Sequence, residues 1–121
     1  YEHSMAYDAA RQRIVLFGGY TGACPTDETW EWDGVNWTRI PTLSAPVHRS
    51  PNALIWDPVR LRVTQFGMGL SEWDGSTWTP LSATTGPRGG FGSCLAHDPV
   101  RGSTMSFGGL SYIWTFIRCS D

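Results

Sequence analysis

The sequence predicts an all-β chain built from three tandem copies of one short unit. The composition, a set of recurring landmark residues and strand-type alternation between turn signals each point there. Fourteen Gly, eight Pro and seven Trp in 121 residues mean many turns and large flat aromatic contacts, a composition that disfavours long helices. The first landmark is an aromatic or His followed by Asp: Tyr7-Asp8, Trp56-Asp57, His97-Asp98. The second is Phe17-Gly18-Gly19, Phe66-Gly67-Met68 and Phe107-Gly108-Gly109, and the third is Trp32, Trp73 and Trp114. From the second copy to the third, all three landmarks move by 41 positions (57 to 98, 66 to 107, 73 to 114). From the first to the second, Asp8 and Phe17 move by 49 but Trp32 by 41, so the first copy carries one eight-residue insertion between Gly19 and Trp30. A fixed internal period of this length is the mark of a repeat architecture.

Each copy reads as four strands. The first covers residues 1–7, 50–56 and 91–97. It ends at a turn, Asp8-Ala9-Ala10-Arg11, Asp57-Pro58-Val59-Arg60 or Asp98-Pro99-Val100-Arg101. Asp at the head of a turn accepts backbone N–H groups, and Pro at the next position presets φ. The second strand is 13–17, 62–66 and 103–107, closed by glycines. The third is Glu28–Trp32 and Leu70–Trp73, where alternation puts Trp30 and Trp32 on one face. An Asp-Gly turn leads to a fourth strand starting near Trp37 and Trp78. No helical periodicity competes. A single four-stranded unit cannot bury both faces, so the units are expected to stack as propeller blades spanning residues 1–49, 50–90 and 91–121 of a single domain.

A hydrophobic strand ending in Phe-Gly-Gly, followed by paired aromatics such as Trp32 with Trp37 and Trp73 with Trp78, resembles the kelch repeat. Trp here replaces the usual Tyr. Arg49-Ser50 matches the family's opening Arg, whereas Arg88 is displaced by Gly89 and Gly90. The resemblance covers nearly the whole chain and implies a kelch-type propeller of the variety common in bacterial secreted or surface proteins. Two other repeats fit less well. Ser71-Glu72-Trp73-Asp74-Gly75-Ser76-Thr77-Trp78 approaches a sialidase-type Asp-box, but its Asp and Gly are adjacent. WD-type repeats need a Gly-His start that is absent. Kelch propellers include the central domain of galactose oxidase-like copper enzymes. No Tyr and His ligand set can be placed on this sequence, so that activity does not carry over, and a non-catalytic part of such an enzyme is a remote alternative.

Propellers close with four to eight blades, and three leave two faces open. The third copy is also atypical, because Thr115-Phe116 replaces Asp-Gly and its last strand is ill-defined. Either the chain is part of a longer propeller, or two copies pair as a homodimer that closes a six-bladed ring.

Strand order sorts the loops onto two rims. One carries the repeated Asp turns, which read as structural. The other carries the loops in which the copies differ, and binding sites favour variable loops on a rigid scaffold. The candidate ligand-binding residues are therefore Tyr20, Thr21, Asp27 and Glu28 in the inserted loop, with His48, Arg49, Met68 and Arg88. The Trp residues at repeat positions are better explained by packing between stacked sheets than by sugar stacking; Trp30 and Tyr20 are the less constrained aromatics. His3, His48 and His97 lie at unrelated repeat positions, and neither a metal-ligand spacing, a nucleophile elbow nor a phosphate-binding loop occurs. No catalytic residue, metal or cofactor is expected.

The net charge of −2 gives no basis for nucleic-acid binding. No stretch approaches the roughly 18 apolar residues of a membrane helix, and the first residues have no signal-peptide pattern. All nine basic residues are Arg. Three cysteines, Cys24, Cys94 and Cys119, leave the disulfide state open, and Cys94 reads as a small buried hydrophobe. The sequence thus points to a non-catalytic binding module for a protein segment or glycan, extracellular or on a bacterial cell surface. A structural propeller fragment or self-assembling scaffold is the alternative.

Overall fold

The computed structural model describes residues 1–46, 53–67, 69–81 and 94–107. They form strands and turns throughout. Six strands make up the first repeat: β1 (Ser4–Asp8), β2 (Arg13–Phe17), β3 (Tyr20–Thr21), β4 (Cys24–Pro25), β5 (Thr29–Trp32) and β6 (Trp37–Ile40). Four follow in the second: β7 (Ala53–Asp57), β8 (Arg62–Phe66), β9 (Leu70–Trp73) and β10 (Trp78–Leu81). The third contributes β11 (Cys94–Asp98) and β12 (Ser103–Phe107). Two four-stranded antiparallel sheets result, ordered β1-β2-β5-β6 and β7-β8-β9-β10, together with the hairpin β11-β12. The registers repeat: Asp8 faces Arg13, Asp57 faces Arg62, and Asp98 faces Ser103. The first strands of the three units lie side by side, with β7 between β1 and β11. The described residues do not themselves close a ring.

Two expectations need correction. In the first unit the first strand starts at Ser4, three positions later than expected, and in all three units it ends on the Asp itself, while residues 50–52 and 91–93 lie outside the described residues. That residue belongs to both strand and turn, because its backbone pairs across the hairpin while its carboxylate caps the turn. In all three units it accepts the N–H groups two and three residues on, at 2.9–3.2 Å. Cys94, expected to be buried, is an exposed free thiol. It shares a face of β11 with Ala96, and that face has no covering sheet among the described residues.

The turn after each Asp places Gln12 (φ 55°), Leu61 (φ 54°) and Gly102 (φ 62°) at one repeat position in the left-handed region. Only the third unit uses the residue suited to it, since an L side chain there costs on the order of 1–2 kcal/mol. Leu61→Gly is therefore expected to stabilise the protein by about 1 kcal/mol, read as a higher urea midpoint with unchanged slope.

The core lies between the two complete sheets. Alternation along the first sheet puts Ala6, Val15, Phe17, Thr29, Glu31 and Ile40 on one face. The second presents Leu54, Trp56, Val63, Gln65, Trp73 and Trp78 on the opposing one. Val15, Phe17, Val63, Trp73 and Trp78 form the buried cluster, with Ala6, Ile40, Ala45, Leu54 and Trp56 packed around it. Trp78 contacts Phe17 at 5.1 Å and Trp73 at 5.2 Å between ring centroids, both tilted. Tilted aromatic pairs at such distances contribute beyond their buried area.

Polar groups in this interface are paired. The Trp73 indole donates to Glu31 Oε1 at 2.7 Å, and the Trp78 indole donates to Thr29 Oγ1 at 2.9 Å. Arg11 donates through Nε to Asp8 (2.8 Å) and through Nη2 and Nη1 to Glu31 (2.6 and 3.2 Å). Partial burial works against its charge, yet the hydrogen bonds it donates to Glu31 and Asp8 prevail and raise its pKa. Arg11 also crosses the interface to lie over the turn of the second sheet. A Cβ on Gly75 (φ 104°) would fall within 2.5 Å of its guanidinium. The second unit repeats the ion pair, with Arg60 donating to Glu72 through Nε and, at 3.0 Å, through Nη2.

Candidate functional site

The opposite rim is built by the insertion in the first unit. The structure turns part of the expected loop into a small hairpin, β3-β4, in which Tyr20 pairs with Pro25 and Thr21 with Cys24. Gly19 (φ 100°) starts it. Its backbone passes so close to the N-terminal segment that a Cβ would lie 2.9 Å from the Tyr1 carbonyl. Thr26 N–H donates to the Gly19 carbonyl at 2.9 Å, and Gly18 N–H to that of Glu28 at 3.1 Å, so the insertion is anchored at both ends. Cys24 is engaged in a disulfide whose partner lies outside the described residues, which fixes the hairpin covalently as well.

Tyr20 is held against Tyr1. Its N–H donates to the Tyr1 carbonyl at 2.8 Å, and the two rings stack with centroids 5.3 Å apart and planes 7° from parallel. The Tyr1 hydroxyl donates to the Gly22 carbonyl at 3.2 Å. Beneath them Glu28 organises the floor. One carboxylate oxygen accepts the Trp30 indole N–H at 3.0 Å, and the other pairs with Arg39 Nε at 3.1 Å. Arg39 is opposite Trp30 across β5-β6, which brings the guanidinium to this carboxylate.

The result is a shallow cleft of about 260 Å³ whose wall includes His3, Tyr20, Thr21, Thr26, Glu28 and Trp30. A second hollow of about 250 Å³ lies on the other side of Glu28, with Asp27, Arg39 and Pro41 on its wall. Of the sequence-derived candidates, Tyr20, Thr21 and Glu28 meet in the first cleft and Asp27 opens onto the second. His48, Arg49, Met68 and Arg88 lie outside the described residues. Tyr1, His3 and Arg39 were not among the candidates. No local motif marks them, and only the β5-β6 register identifies Arg39. Trp30 had a signal, as an aromatic that the repeat does not require.

The cleft offers aromatic surfaces, a hydroxyl-bearing edge and one carboxylate already engaged by an indole and a guanidinium. That set can bind and orient; it contains no nucleophile paired with a base. Among the described residues no three His, Cys, Asp or Glu side chains converge as a metal site requires. His97 has a local role, its Nδ1 bonded to Thr104 Oγ1 at 3.0 Å. On the opposite rim the turn carboxylates are also structural. Backbone N–H groups, first those of Asn36 and Thr77, hold Asp33 and Asp74 below the usual carboxylate range. The Arg101 side chain is the main cause of the same shift at Asp98. No family model and no curated protein matches the chain.

Proposed function

We propose that the chain is a non-catalytic binding module of a kelch-type propeller, and that the cleft of the inserted hairpin is its ligand site. The observation that carries this reading is the convergence of Tyr20 and Glu28, from an insertion the repeat does not need, with Trp30 of β5 on one shallow aromatic cleft. Aromatic faces beside hydrogen-bonding groups suit the apolar faces and hydroxyls of a glycan, which is the favoured ligand. A protein segment is the competing one. The disulfide at Cys24 supports an oxidising location, outside the cell or on a bacterial surface, because such bonds are rare in reducing compartments.

Screening the protein on a glycan array and against a peptide library tests this. Tyr20→Ala is expected to weaken glycan binding roughly tenfold or more, the loss of one well-placed aromatic contact, with the unfolding midpoint little changed. Peptide binding with the same dependence on Tyr20 would move the ligand class to protein. Absence of any ligand, or binding indifferent to Tyr20, would overturn the assignment of this cleft.

A second reading is favoured by a separate observation. The first sheet's outward face exposes Met5, Tyr7 and Trp37 (51%, 54% and 42%), and the third hairpin leaves Met105 and Phe107 open. Apolar faces of this kind mark contact surfaces. Under this reading the chain is a structural propeller part, completed by further blades or by a second copy.

A further inference from the structure

The second reading leaves open what covers the first sheet, and the interface inside the protein supplies a chemical answer. In that interface the second sheet presents Trp73 and Trp78, and the first receives them with Glu31 and Thr29. Counting by the repeat, Trp32 and Trp37 are the first sheet's equivalents of Trp73 and Trp78. They stand on its outward face, tilted against each other at 5.7 Å. Met5, Tyr7, Ile14 and Leu16 share that face, in the places that Leu54, Trp56, Val63 and Gln65 hold in the buried one; Trp30 shares it too, so on this reading the covering sheet meets that side of the cleft. The face is thus built like one already seen covered. It differs in exposure, 42% for Trp37 against 3% for Trp78, and among the described residues neither Trp32 nor Trp37 has an acceptor for its indole N–H.

We infer that this face receives a further sheet of the same repeat, in the place that blade order gives to a preceding unit, and that this sheet carries a carboxylate at the position of Glu31. The inference rests on the structural reading above. The carboxylate follows from the donor. When the face is covered, the Trp32 N–H leaves water, and a buried donor needs an acceptor. At the corresponding position the sequence of the third unit has no carboxylate. Glu31 corresponds to Glu72 and then, 41 positions on, to Ile113. By repeat position, a second copy closing the ring through its third unit would therefore bring an isoleucine rather than a carboxylate to this place.

The test extends the full chain at its N-terminus by a copy of residues 1–49, which preserves the spacing between the first two units. The companion protein has Glu31→Ile in the added copy only. Hydrogen exchange of the Trp32 and Trp37 indole N–H groups is followed by NMR, with the Trp73 indole as the control for folding. The Glu-bearing extension is expected to slow exchange at Trp32 roughly tenfold or more relative to the Ile-bearing one. Trp32→Phe in the original unit should abolish the difference in urea midpoint between the two extensions. Equal protection of Trp32 by both extensions overturns the carboxylate requirement while leaving the stacking reading intact. If neither extension protects Trp37, the stacking reading fails, and the inference with it. An unextended chain that sediments as a dimer with both indoles already protected assigns the face to a second copy and also overturns it.

Discussion

Trp73→Ala is expected to lower the unfolding free energy by about 3–5 kcal/mol, the range for removing a large aromatic from a packed core. The ring is fully buried (0% exposed), and its loss opens a cavity between the two sheets beside Trp78 and Val63. It also removes one of the two donors on Glu31 Oε1, leaving Arg11 Nη2. Urea denaturation followed by Trp fluorescence measures the loss, with Trp37→Ala as the comparison. Trp37 is the same residue type on the corresponding face of the first sheet, which no described sheet covers, and its removal should cost well under half as much. Equal losses would mean that the buried face is not the main source of cohesion between the units.

Glu31→Ala is the second large effect, at about 3 kcal/mol, the lower end of the range for breaking a buried ion pair by removing one partner. The lower end applies because the Arg11 side chain is about one-third exposed and water can take over part of its hydration. Arg11 loses two of its three side-chain hydrogen bonds, keeping only Asp8. The buried Trp73 N–H loses its acceptor. Glu31→Gln should fall between wild type and Glu31→Ala, since an amide oxygen still accepts from the indole while the charge opposite Arg11 is gone. Glu72→Ala should cost less, because its partner Arg60 is more than half exposed and no described indole relies on it. Equilibrium urea curves for the three variants check the ranking; a Glu31→Ala midpoint at the wild-type value would make the network inert.

The parts of the fold legible in the sequence are those fixed by local chemistry. Asp8, Asp57 and Asp98 announce their turns because the carboxylate bonds amides only two and three residues away. Trp73 and Trp78 announce the packing between sheets because they recur at repeat positions. The Arg11–Glu31–Trp73 network was not legible. Its members stand 20 and 42 positions apart, and nothing local distinguishes Arg11 from any exposed turn arginine. Cys94 misled for a related reason: an apolar strand foretells burial only where another sheet covers that face. At the candidate site, the insertion and its residues Tyr20 and Glu28 could be located as a departure from the repeat. The pairing of Arg39 with Glu28 and the stacking of Tyr1 on Tyr20 depend on registers and chain crossings that no motif encodes.

The order of strands in each sheet bears on how the protein folds. Among the described residues every ladder joins neighbouring segments: β1 pairs with β2 across a four-residue turn, and even β2 with β5 spans only the insertion. Pairings this close in sequence have a small loop-closure cost, so hairpins can form early and independently within each unit. The Trp73–Glu31 and Trp78–Thr29 bonds, between residues 42 and 49 positions apart, require two preformed sheets to dock. Assembly is therefore expected to run from hairpins to sheets to interface, and a lesion in the docking layer is expected to act mainly by hastening unfolding, as stopped-flow refolding and unfolding of Trp73→Ala would test.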